Sequence, residues 1–243
     1  MQKFILPHIE MVPGRAAITG QDARHVYKVL RLKPGDHLNL TNAKGVDFTS
    51  RIRRCGPDRI DLDVLDSKPS ATESELEIIL CTGMLKDKKM DFVIKHTTQL
   101  GIWKWVPFYC DRSVPVPDPN RMKRKLARWQ TIAQESLKQC RRSRLPDILP
   151  PLPFKDAVSL GSDADLKLAF WENANHPLDS LNPRGPVKSV ALLIGPEGGF
   201  TEQEIDLARS SGFDACSLGP RILRAETAAI SCCTLIQHLW GDI

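Results

Sequence analysis

The stretch Leu192-Leu193-Ile194 runs directly into Gly195-Pro196-Glu197-Gly198-Gly199-Phe200 and then Thr201-Glu202-Gln203-Glu204-Ile205. That order reads as a buried strand, a glycine-dense loop and a helix. Thr201 is a candidate N-cap, and Glu204, three residues on, would complete a capping box. Glycine lets backbone approach a ligand closely and bond it through N–H and C=O groups; the competing reading is glycine that only builds the bend. The loop lacks the Gly-Lys-Ser/Thr of a nucleoside-triphosphate loop and the Gly-x-Gly-x-x-Gly of a dinucleotide site. A second turn of the same kind follows in Leu218-Gly219-Pro220-Arg221-Ile222-Leu223-Arg224-Ala225-Glu226. Near a cleft, Arg221 and Arg224 offer fixed donors for an anion or a polar carbonyl edge. Glu226 could accept a proton. Away from a cleft, the same residues are a surface ion pair of little energy and a helix-start carboxylate favoured by the dipole.

The elements that must position these turns alternate along the back of the chain. Leu76–Cys81, Ile102–Tyr109, Leu166–Trp171, Val190–Ile194 and Ala215–Leu218 read as strands. Met90–Leu100, Pro119–Arg141, Glu202–Ser211 and Glu226–Trp240 read as helices. Such alternation implies a parallel, largely buried sheet covered by helices. Ligands then sit beyond the carboxyl ends of strands. Those ends fall at Thr82-Gly83, Trp171-Glu172, Gly195–Gly199 and Gly219-Pro220-Arg221. The front of the chain differs. Residues 36–42, 46–54 and 60–65 alternate as short strands after a short helix over 20–30, the pattern of a small β-barrel. Residues 67–74, with Pro69 and no apolar run, read as a linker. The expected domains are 1–70 and 75–243.

Length and composition agree. At 243 residues the chain holds about one large or two small domains. Hydrophobic residues at 42% and charged residues at 26% exclude long disorder. The longest aliphatic run, Val190–Ile194, is far short of the ~20 residues of a membrane helix. The first residues carry no secretory signal, so a cytoplasmic protein with no membrane partner is expected. Seven cysteines without Cys-x-x-Cys, and six scattered histidines, suggest reduced thiols and no metal site.

Charge is uneven. Residues 1–70 hold 12 Lys+Arg against 8 Asp+Glu, residues 71–150 hold 15 against 9, and residues 151–243 hold 7 against 12. A basic front suggests a polyanion, with nucleic acid the usual candidate. From Arg121 to Arg144 there are nine Lys/Arg against Glu135 alone. Leu126, Trp129, Ile132, Ala133 and Leu137 recur there at spacings of three and four, an amphipathic helix whose remainder is basic.

Gly195–Ile205 followed by Leu218–Ala228 resembles the carboxyl-terminal signature of the 16S rRNA (uracil-N3) methyltransferase family of the SPOUT superfamily. Arg24–Asp36 is similar to that family's amino-terminal block, Asp91–Ile102 to its first helix, and Arg128-Trp129 through Arg144 to its basic helix. The likeness spans nearly the whole chain. Ala225 departs from it, standing where threonine is common; Gln99 and His96 also depart. The resemblance implies an α/β domain with a parallel sheet and a C-terminal trefoil knot, a PUA-like β-barrel that docks RNA, and a homodimer. It implies S-adenosylmethionine in the knot loops and N3-methyluridine in small-subunit rRNA as product. Carried over by position, Ile194, Gly195, Pro196, Glu197 and Gly198 form one cofactor loop. Leu218, Gly219, Ile222, Leu223 and Arg224 form another, and Trp171 and Glu172 a third.

Methylating N3 requires loss of its proton, and negative charge then spreads onto the flanking carbonyl oxygens. A guanidinium aimed at one of them, Arg221 or Arg224, would stabilise that charge. Glu197, Glu226 or water would take the proton. N3 lies on the Watson–Crick edge, so the target must be unpaired or flipped out. Arg24, Lys28, Arg31, Arg112, Arg141 and Arg142 are the expected phosphate contacts of the 16S rRNA or small ribosomal subunit. Two rivals are a ribose 2′-O-methyltransferase of the same superfamily and an RNA-binding protein without catalysis.

Overall fold

The computed structural model describes residues 3–6, 14–86, 88–115, 118–178, 181, 183 and 185–243. Two compact units emerge: Met1–Glu73 with Leu137–Leu145, and Ser74–Ser136 with Pro146–Ile243.

The first unit is a five-stranded sheet of β1 (Lys3–Ile5), β2 (Gly14–Thr19), β3 (His37–Thr41), β4 (Val46–Cys55) and β5 (Arg59–Pro69), in the order β1-β3-β4-β5-β2. β1 runs parallel to β3, and the other pairs are antiparallel. Alternation does the work: Ile60, Leu62 and Val64 are buried with Leu38, Leu40 and Ile52, while Asp61 and Asp63 are not. The helix expected over 20–30 is α1 (Gly20–Arg24) continued by a π-wound turn, His25–Leu30, that ends at Arg31 with φ 53°. Ser67, Lys68 and Pro69, expected in the linker, instead pair with Phe48, Asp47 and Val46. They are exposed, so the ladder continues where the burial pattern that reveals a strand has stopped.

A buried polar cluster fastens residues 137–145 to this unit. Lys3 Nζ donates to Asp47 Oδ2 and to Ser143 Oγ, each at 2.8 Å. The Arg142 guanidinium pairs with Glu73 at 2.8 Å, and the backbone N–H of Ser143 also donates to Glu73.

The second unit is a parallel sheet of β6 (Glu77–Gly83), β7 (Ile102–Tyr109), β8 (Asp147–Ile148), β9 (Leu152–Pro153), β10 (Leu166–Phe170), β11 (Ser189–Ile194) and β12 (Asp214–Cys216). Its order is β12-β10-β11-β6-β7-β8, with β9 also beside β7. α2 (Lys89–Gln99), α3 (Pro119–Cys140), α4 (Phe154–Leu160), α5 (Glu202–Ser210) and α6 (Ala225–Trp240) accompany it. β11 is buried from Val190 to Ile194, which explains its unbroken aliphatic run. β7 and β8 lie on one side of β6, and β11, β10 and β12 on the other. The topological switch therefore falls between β6 and β11, where ligands bind in such sheets.

Trp129 of α3 packs edge-on against Trp105 at 4.9 Å, and Trp105 Nε1 donates to Thr82 Oγ1 at 2.9 Å. The apolar spacing in the basic segment thus meets a core, while Arg121, Lys123, Arg124 and Arg128 are exposed. The apolar α6 is not covered all round: Ala229, Cys232, Cys233 and Ile236 are buried, but Leu235 and Leu239 are 39% and 45% exposed. All seven cysteines are free thiols. No helix among the described residues is long and apolar enough to cross a membrane.

Candidate active site

Both glycine turns open onto one cleft of about 780 Å³ in the second unit. It lies at the carboxyl ends of β10, β11 and β12. Trp171 and Glu172 follow β10, Ile194 to Phe200 follow β11, and Ser217 to Ala225 follow β12. Every residue assigned above to the three cofactor loops lines it, as do Arg221 and, from α2, Lys89. Glu226, the first-turn carboxylate of α6, follows the lining residue Ala225 but does not itself line the cleft.

Close backbone packing shapes the first loop. Gly83 ends β6 so near that loop that a Cβ on it would sit 2.5 Å from the Pro196 nitrogen. Gly199 adopts φ 68°, and a Cβ there would sit 2.6 Å from Glu172 Oε1. The anticipated capping box follows. Thr201 Oγ1 accepts from Glu204 N at 3.2 Å, and Glu204 Oε2 accepts from Thr201 N at 2.8 Å. Glu204 Oε1 also accepts from Asp111 N at 2.8 Å, so the same carboxylate ties the segment after β7 to α5.

Charge in the cleft is partly committed and partly open. Glu197 Oε1 accepts from Lys89 Nζ at 2.9 Å and from Lys86 N at 3.2 Å. Burial pushes the Glu197 carboxyl up, but the Lys89 and backbone hydrogen bonds outweigh it and hold the group below its usual range. Glu226 Oε2 is buried without a hydrogen-bond partner, 3.8 Å from Lys89 Nζ. The Trp171 indole N–H is likewise buried and unsatisfied. Arg221 and Arg224 are exposed, and neither guanidinium has an ion pair among the described residues. Beside them Ile222 is 85% exposed, an aliphatic side chain awaiting cover.

The expected phosphate contacts separate. Lys28, Arg31 and Arg141 are exposed, and Arg24 is exposed but paired with Asp58 at 3.1 Å. Arg142 is a correction: it is 4% exposed and its guanidinium is taken up by Glu73, leaving no surface for a phosphate. Arg112 is exposed, yet its Nη1 donates to Gly198 O at 2.9 Å and Phe200 O at 3.2 Å, which makes it a brace of the first loop. Sequence reasoning missed Lys89, Gly83 and this use of Arg112. The run Lys86-Asp87-Lys88-Lys89 ahead of an apolar-periodic helix was the available signal for the first, since cations oppose the dipole at a helix start. No group of three His, Cys, Asp or Glu suited to a metal occurs among the described residues.

A family model for an RNA methyltransferase domain matches residues 72–237, and one for an RNA methyltransferase PUA domain matches residues 18–65. The ribosomal RNA small subunit methyltransferase E of Bacillus subtilis is 27% identical, covering 98% of this chain and 96% of its own length. Its namesake from Buchnera aphidicola of Schizaphis graminum is 31% identical, covering 90% and 88%. A crystal structure of a ribosomal RNA small subunit methyltransferase E from Neisseria gonorrhoeae bound to S-adenosyl methionine superposes with a TM-score of 0.88. It is 31% identical and covers 100% of this chain and 99% of that one.

Proposed function

The chain belongs to the ribosomal RNA small subunit methyltransferase E family, and from that premise we propose that it methylates N3 of a uridine in the decoding region of 16S rRNA, with S-adenosylmethionine as donor. The observation that carries the reading is convergence: three loops far apart in sequence wall one cleft at the carboxyl ends of β10, β11 and β12 in a parallel sheet.

The cleft fits the donor on its own features. Its volume suits a nucleoside-sized ligand, and Ile222, Leu223 and Leu218 give it an apolar side. The glycine backbone supplies close polar contacts, and the Trp171 N–H is a buried polar atom without a hydrogen-bond partner, costly until satisfied. The residues that would hold the donor are Trp171, Glu172, Ile194 to Gly198, Leu218, Gly219, Ile222, Leu223 and Arg224. When bound, S-adenosylmethionine supplies a methyl group already activated on a sulfonium.

The chain's own residues have two further tasks. Arg221 and Arg224, uncommitted in the cleft, stabilise the negative charge that develops on the uracil oxygens. Glu226 or Glu197 accepts the N3 proton: Glu197 Oε1 already accepts from Lys89 Nζ and Lys86 N, whereas Glu226 Oε2 has no hydrogen bond and faces Lys89 Nζ at 3.8 Å. Arg24, Lys28, Arg31 and Arg141 contact phosphate and set register. In this reading the segment after β12 threads a trefoil knot. Its support is that β12 pairs at the far side of β10 while α6 returns to pack on α2, β6 and β11. The five strands of the first unit form the PUA-like barrel. The enzyme works in the cytoplasm as a homodimer, with Phe92, Leu235 and Leu239, apolar and exposed on α2 and α6, as its candidate interface.

The test is direct. The protein is incubated with S-adenosylmethionine and either naked 16S rRNA or small subunits lacking the modification, and the nucleosides are analysed by mass spectrometry. N3-methyluridine is the expected product. Ribose-methylated nucleoside would replace this reading with the 2′-O rival, and failure of the protein to bind the donor would leave only an RNA-binding role.

A further inference from the structure

We propose that Lys89 is a positioning residue of the cleft: its ammonium, set between Glu197 of the loop after β11 and Glu226 at the start of α6, locks these two walls together before any ligand arrives. The inference rests on the functional reading above for its ligand, but not for its geometry.

Three observations carry it. Lys89 Nζ is 2.9 Å from Glu197 Oε1 and 3.8 Å from Glu226 Oε2. One side chain on α2 therefore addresses carboxylates from two separate segments, 29 positions apart in sequence. The group is also sheltered: the side chains of Lys89, Glu197 and Glu226 are 32%, 25% and 14% exposed. Solvent screens such a set far less than a surface pair. Finally, Lys89 breaks a local rule. It is the first residue of α2, next to the capping residue Lys88, which offers no side-chain cap. Cations at that end oppose the helix dipole. A choice that local structure disfavours points to a function beyond the helix, and the two carboxylates supply one.

The lock explains how the cleft is held without a ligand. Gly83 and Arg112 fix the first loop from the β6 and β7 sides, but neither reaches the second turn. Lys89 contacts the first loop and addresses the helix that the second turn enters. Orientation prepared in this way removes part of the ordering cost of binding.

The test uses the full chain as Lys89→Met, Lys89→Arg, Glu226→Gln and the Lys89→Met/Glu226→Gln double variant. Circular dichroism and melting confirm that each is folded. Hydrogen exchange of the backbone amides of 195, 197–199 and 222–226 is followed without cofactor, and S-adenosylmethionine affinity is measured by calorimetry. Lys89→Met is expected to speed exchange in both segments and weaken binding by about tenfold. Lys89→Arg is expected to recover most of both losses. The double variant is expected to lose less than the sum of the single losses, because both break one linkage. Exchange confined to 195–199, or additive losses, would reduce Lys89 to a partner of Glu197 alone and overturn the proposal. So would full affinity in Lys89→Met. Failure of the unaltered protein to bind S-adenosylmethionine would instead overturn the functional reading, while the exchange pattern still decides for or against the lock.

Discussion

Gly83 and Pro196 lie in contact across the switch between β6 and β11, so close that a Cβ on Gly83 would stand 2.5 Å from the Pro196 nitrogen and 3.0 Å from the Gly195 carbonyl carbon. The end of one strand is thus the floor of the loop that follows its neighbour. Because these atoms are backbone or proline ring, they cannot swing aside. Gly83→Ala is expected to push the loop outward, destabilise the protein by about 1–3 kcal/mol and weaken S-adenosylmethionine binding. Thermal melting and calorimetry would read both; an unaltered affinity would show that the loop is not held from below.

Arg112 separates bracing from RNA contact. Its guanidinium donates to the carbonyls of Gly198 and Phe200. Arg112→Ala is expected to lower donor affinity several-fold while the slope of RNA affinity against salt stays as it was. Arg31→Ala is expected to do the reverse, weakening RNA binding and reducing the slope by about 1 with donor affinity intact.

Arg142 is expected to act on stability. It is paired with Glu73 in a buried setting, with side-chain exposures of 5% and 14%. Truncating one partner leaves an uncompensated buried charge, worth about 3–5 kcal/mol. Arg142→Ala should therefore melt well below the unaltered protein. A normal melting curve with impaired RNA binding would return Arg142 to the phosphate contacts.

Acid should loosen the first loop. Burial raises the Glu197 carboxyl, but the hydrogen bonds from Lys89 and the backbone prevail and hold it below 4.5. A depressed carboxylate contributes stability that is complete above its ordinary value and is lost as pH falls through the folded one. Donor affinity should then be insensitive to this group at neutral pH and fall in the acid range below 4.5. In Glu197→Gln this part of the pH dependence should vanish, which calorimetry between neutral and acid pH would detect.

Much of this was legible in the chain. β7 runs from Ile102 to Tyr109 as its composition indicates, and Thr201 and Glu204 form the capping box their spacing announces. These signals are local: periodicity, turn chemistry and capping act within a few residues, so sequence order displays them. The glycine turns were visible for the same reason, as was the apolar face of the basic helix. Short elements were not. β1, with three residues, and α4, with seven, are too brief to show a period and exist because neighbours complete them.

What the tertiary structure decided is the fate of individual charges. Arg112, Arg142, Arg221 and Arg224 are chemically alike in the sequence, yet one braces carbonyls, one is buried on Glu73, and two stand uncommitted in the cleft. Lys89 became significant only when folding brought Glu197 and Glu226 to it. The energy of a charge depends on distance and burial, and both are set by partners far away along the chain. Residue type and spacing therefore announced the loops and the chemistry they could support, whereas the assignment of each charged side chain awaited the packing of the sheet.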